Sequence, residues 1–134
     1  MSDIALIEWH DGVVEHVALA QGGRVSIAFS HLAVYERRAP DLYDIVSYGA
    51  TVTAHGTTEV SCTGTLAPSS RVDLVRIDGN ELSAGRTVPK DRAKSGGALE
   101  VLFGGGTVLS LVCNQLTLEL GTRNAVVETW SGQL

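Results

Sequence analysis

Four histidines, two cysteines and fifteen carboxylates are the groups in this chain able to bind a metal or move a proton. A metal ion takes three or four ligands at once, so such sites show His, Cys, Asp or Glu in tight, repeated spacing. His10, His16, His31 and His55 form no H-x-H or H-x₃-H pair, and Cys62 and Cys113 form no C-x₂-C. No metal site is expected. Nucleophilic catalysis needs serine or cysteine beside a base, yet no G-x-S-x-G occurs. Both cysteines lie in apolar, strand-like segments (EVSCTGTL and TVLSLVCNQL) that offer no electropositive setting for a thiolate. Asp41 and Asp44 flank Tyr43 on a polar stretch, without the burial that would make one an acid and the other a base. The glycine-rich stretches at 103–107 and 94–97 adjoin strands, whereas phosphate loops depend on a helix N-terminus. The expectation is a non-enzyme without a cofactor.

Two surfaces carry recognition chemistry instead. The first twenty residues hold Asp3, Glu8, Asp11 and Glu15 and no Lys or Arg, a local charge of −4. Glu8, Asp11 and Glu15 are therefore candidate contacts for a basic partner. The second surface is YERRAPDLYD, where Tyr35, Arg37, Arg38, Asp41, Tyr43 and Asp44 crowd together. Tyr and Arg are the residues most enriched at interface hot spots. A late stretch has the opposite sign: Arg86, Lys90, Arg92 and Lys94 against Asp91 give 4 − 1 = +3. It lacks the aromatic residues on which nucleobases stack. The whole chain carries a formal charge of −5, which repels phosphate backbones, so nucleic acid is not an expected partner.

The elements that must position these groups are strands. Apolar and polar residues alternate along most of the 134 residues, and no stretch longer than about ten keeps a helical period. The length suits one domain, 1–134, and aromatics at 5% leave Val, Leu, Ile and Ala to fill its core. Asp11-Gly12 between two alternating arms predicts a hairpin. A three-residue loop, His10-Asp11-Gly12, pairs Trp9 with Val13 and keeps Glu8 from facing Glu15. In RVSIAFSHLAVYER the apolar parity changes near Ser30-His31, which predicts a bulge. RRAPDLYD reads as a polar connection. Strands on either side of His55-Gly56 come next, then VDLVRI, an irregular stretch from Glu81 to Gly97, and the closing arms ALEVLF, TVLSLVCNQLTLEL and NAVVETW. Gly121-Thr122 is expected to turn between the last two. The result is an antiparallel β-sandwich or small partly closed barrel of about eight to nine strands joined by short hairpins.

No apolar run approaches the roughly 20 residues that span a bilayer, and the first twelve residues lack a basic, apolar leader. A membrane partner is not expected. Both cysteines are expected to be buried and reduced, which suits the cytoplasm. In size, acidity and lack of a catalytic motif the chain is similar to bacterial immunity proteins that neutralise a toxin domain, a similarity of bulk properties. The functional expectation is a non-catalytic cytoplasmic module, of inhibitor or immunity type, that binds a basic protein. The alternative is a small β-barrel enclosing an apolar small molecule. Homo-oligomerisation through an edge strand is a third expectation, with NAVVETW as the edge.

Overall fold

A computed structural model describes residues 3–81, 86–87 and 93–133. They form nine strands and no helix: β1 (Asp3–Ala20), β2 (Arg24–Ala39), β3 (Leu42–His55), β4 (Glu59–Thr63), β5 (Ser70–Ile77), β6 (Asn80–Glu81), β7 (Arg86–Thr87), β8 (Ala93–Phe103) and β9 (Val108–Ser131). All pairings are antiparallel, in the order β6-β5-β8-β9-β3-β2-β1-β7. A further contact, Val13 opposite Arg71 and Val14 opposite Ser70, joins β1 back to β5 and closes a six-stranded ring. The architecture is thus a partly closed barrel, held shut on one side by two residue pairs.

Alternation sends one face of each strand inward. Val14, Val25, Ile27, Phe29, Val52, Val72, Val75, Leu99, Val101, Phe103, Leu109 and Leu111 are all buried and belong to one continuous core. Burying each such side chain stabilises the fold by roughly 1.5–3 kcal/mol. β1, β2, β3 and β9 are longer than the barrel needs. Their far halves run on as a four-stranded extension, in which Asp3, Arg37, Tyr43 and Trp130 form one cross-strand row. On one face of the extension Ile7, Val34 and Val46 are fully buried. The other face carries a second, smaller cluster of Leu6, Tyr35, Tyr43 and Ile45 with Trp130.

Several local expectations need correction. Asp11-Gly12 is not a hairpin turn, because β1 runs unbroken past it along β2. Between the pairs Glu8–Ala33 and Val13–His31, the four residues from Trp9 to Gly12 face Leu32 alone. Asp11 takes φ 66, and a Cβ at Gly12 would stand 2.9 Å from Leu32 Cδ2 and 3.0 Å from the Trp9 carbonyl. The conformational demand that Asp-Gly signals is real, but it bends one strand rather than joining two. The same holds for Gly121-Thr122: β9 continues through to Ser131, and Gly121 lets the backbone of Gly49 approach. RRAPDLYD is a tight hairpin, with only Pro40-Asp41 between β2 and β3 and Asp41 at φ 56. The stretch 81–97, expected to be irregular, holds β7 and the start of β8; Lys90, Asp91 and Arg92 lie outside the described residues. Cys62 is exposed, not buried, while Cys113 is buried; both are free. The bulge near Ser30-His31 is present, since Phe29 opposes Ala50 and Leu32 opposes Tyr48.

Candidate functional site

The candidate contacts fall into two groups. At the far end of the extension, the Tyr35 hydroxyl donates to Glu8 Oε2 at 3.2 Å and the Arg37 guanidinium lies 5.5 Å from the centre of the Tyr43 ring. Trp130 meets both tyrosines, with ring centres 5.9 Å from Tyr43 and 6.5 Å from Tyr35. Arg38 forms an ion pair with Asp44 at 2.8 Å, and the Thr129 hydroxyl donates to the same carboxylate at 3.2 Å. Tyr35 and Tyr43 are each only 4% exposed. Their rings pack inside the fold, so this end presents Arg37, Arg38 and Asp41 to solvent rather than aromatic anchors.

Asp11 and Glu15 lie elsewhere, beside the β1–β5 seam. Asp11 faces His10 at 3.6 Å and Arg71 at 3.9 Å, and Glu15 accepts a hydrogen bond from the Ser69 hydroxyl at 3.0 Å. Hydrogen bonding to the Asp73 carbonyl, helped by Asp11 and Asp73, raises the pKa of His10. The topology also places arginines around the acidic strand: Arg37 opposes Asp3 and Arg86 opposes Glu8. The register thus sets one position of the +3 stretch, Arg86 on β7, against one position of the −4 stretch, Glu8 on β1. Nothing in the order of residues announces that pairing.

Two polar networks escaped the sequence reading. Glu36 is 3% exposed and accepts the Arg123 guanidinium through both carboxylate oxygens, with distances of 2.9–3.2 Å, and a short hydrogen bond from the Tyr48 hydroxyl. Burial, followed by Glu36, raises the pKa of Tyr48, and the hydrogen bond to Glu36 raises that of Arg123. These bonds join β2, β3 and β9, a structural tie. His31 Nδ1 lies 2.6 Å from Ser47 Oγ, and burial lowers the pKa of that histidine.

A concave surface lies on the opposite side of the molecule. β4 continues the line of β3 along β9: His55 opposes Gln115 and Glu59 opposes Val112. Gly56, at φ 63 and with the Asn114 side chain where a Cβ would stand, breaks the two strands apart. Register then builds two outward rows across β4, β9 and β8, first Glu59–Val112–Ala98 and then Ser61–Ser110–Glu100. Between them the row Val60–Leu111–Leu99 points the other way, and Leu99 and Leu111 are buried in the barrel core. The outward rows, with Val112 and Ser110 in their middle, line a groove of about 290 Å³ that has Glu59 and Glu100 at its flanks. Strand spacing sets the β4 and β8 backbones roughly 10 Å apart across it. Among the described residues neither glutamate makes an ion pair, although Arg76 of β5 stands opposite Glu100 on the side away from the groove.

Among the described residues no group of three His, Cys, Asp or Glu side chains is placed to hold a metal ion, and no helix is long and apolar enough to cross a membrane. No protein-family model, curated protein or solved structure matches the chain.

Proposed function

We propose that this chain is a non-catalytic protein-binding module that takes a basic segment of a partner protein. The observation that carries the reading is the groove over β4, β9 and β8, with Val112 and Ser110 at its centre and the carboxylates of Glu59 and Glu100 beside them. Val112 and Ala98 offer apolar surface to the stem of a lysine or arginine, and the glutamates offer charge to its head. A net charge of −5 steers a basic partner toward the molecule from a distance. An inhibitor or immunity-type role in the cytoplasm fits this chemistry, and the free thiols at Cys62 and Cys113 fit a reducing compartment. This reading moves the contact surface away from Tyr35 and Tyr43, whose rings are engaged with Trp130.

The alternative, a barrel around an apolar ligand, needs an enclosed chamber of roughly 300 Å³ or more. Val14, Ile27, Val72 and Leu111, all at most 2% exposed, occupy the interior where that ligand would lie.

An array of short peptides graded from acidic to basic tests the proposal. Basic peptides should be retained by the native chain, and the double substitution Glu59→Gln with Glu100→Gln should weaken them about tenfold, or about 1.4 kcal/mol. Glu8→Gln with Asp11→Asn should leave binding unchanged. Retention that ignores peptide charge, or that follows Glu8 and Asp11 instead, refutes the assignment.

A further inference from the structure

We infer that the basic segment binds as an added β-strand along the outer edge of β4. The inference rests on the function proposed above and specifies its geometry. Among the described residues β4 pairs with β9 alone, so the other side of its backbone offers unpaired N–H and C=O groups. All five of its residues are exposed, in contrast to the neighbouring strands of the ring. An open edge next to a specificity groove is the arrangement used in recognition by strand addition, where backbone bonds give affinity and alternate side chains give selectivity.

The two faces of β4 define what the added strand must carry. Glu59 and Ser61 lie on the grooved face, so a Lys or Arg of the incoming strand beside Glu59 would lay its stem toward Val112 and Ser110. Val60 is on the opposite face and 42% exposed, although its row-mates Leu99 and Leu111 are buried. An apolar residue of the incoming strand would cover Val60 and extend the barrel's apolar row by one position. The preferred partner is therefore a short extended segment in which basic and apolar residues alternate. Five residues suffice, because Gly56 at one end and Gly64 (φ 93) at the other terminate the edge.

Among the described residues the edge of β9 beyond Thr117 is also paired on one side only, but it is a poorer template. Against β3 it carries one-residue bulges between Leu120 and Arg123, between Arg123 and Val126, and between Val126 and Glu128. Bulges of this kind put backbone groups out of register with an incoming strand and guard edges against pairing. β4 pairs with β9 in unbroken register over all five residues.

A fluorescent five-residue peptide of alternating lysine and valine serves as the probe, with fluorescence anisotropy as the readout. Two further versions carry N-methyl groups on alternate backbone nitrogens, one version for each phase. Strand addition requires that one phase lose at least tenfold in affinity while the other stays within about twofold of the parent. It also requires that Glu59→Gln with Glu100→Gln weaken the parent probe. If both methylated peptides bind like the parent but the glutamate substitutions still weaken binding, strand addition is wrong and charge recognition survives. If the glutamate substitutions have no effect, the functional reading itself fails. Failure of the parent probe to bind also overturns the inference.

Discussion

The carboxylate of Glu36 is the most constrained charge among the described residues, buried to 3% exposure and served by Arg123 and Tyr48. A buried charge left short of a donor is expensive, whereas the same hydroxyl lost from an exposed pair is nearly neutral. Tyr48→Phe should therefore lower stability by about 1–3 kcal/mol in urea unfolding. A loss within a few tenths would mean that water replaces the hydroxyl freely. Histidines give the pH dependence a sign. Burial holds His31 below its ordinary value of about 6.5. The unfolded chain therefore takes up its proton first, and stability from this group is complete above about pH 6.5 and falls as pH drops below it. Asp11 opposes that shift and Arg71 supports it. His10 behaves in reverse: its raised pKa contributes stability that is complete below about 6.5 and lost as pH rises through the folded value. That ring is largely exposed, so the effect is small. Urea midpoints from pH 5.5 to 8 should show His31→Gln flattening the slope below 6.5; an unchanged slope would rule His31 out as its source.

At the scale of elements, the chain shows what sequence periodicity reports and what it misses. Alternation revealed that the structure is all strand, and the parity switch in RVSIAFSHLAVYER located the bulge at Ser30-His31, because both are written in neighbouring residues. Asp11-Gly12 and Gly121-Thr122 misled for a physical reason. A left-handed residue such as Asp11 (φ 66), or a glycine that admits a close backbone as Gly121 does, serves a bulge as well as a hairpin, and only the distant partner strand decides between them. The groove was hidden more deeply, since Glu59, Ser110 and Glu100 come from three strands and align only through register. Gly12 is where the bend of β1 is decided. Gly12→Ala should destabilise the fold by about 1–3 kcal/mol, because the added methyl meets Leu32 and the Trp9 carbonyl with little room to yield. Gly104→Ala, with open space around it, is the matched control and should change stability little.

For the whole molecule, closure of the ring depends on the two residue pairs that join β1 to β5, against twelve pairs along β1 and β2. Regions with few backbone bonds open first under native conditions. Hydrogen exchange should therefore be faster at Val13, Val14, Ser70 and Arg71 than along β2 and β3, and equal protection would show the ring to be uniformly locked. Long-range pairing is general in this fold; the Arg123–Glu36 contact spans 87 residues of sequence. Such topologies fold slowly, because distant segments must meet before contacts repay the lost chain entropy. The row Asp3–Arg37–Tyr43–Trp130 has a practical meaning as well. It brings the start of β1 and the end of β9 to the same pole, the one farthest from β4, with β2 and β3 between them. A tag, a surface tether or a fused domain attached at either pole-side terminus would hold the molecule by its back and leave the acidic cleft pointing outward.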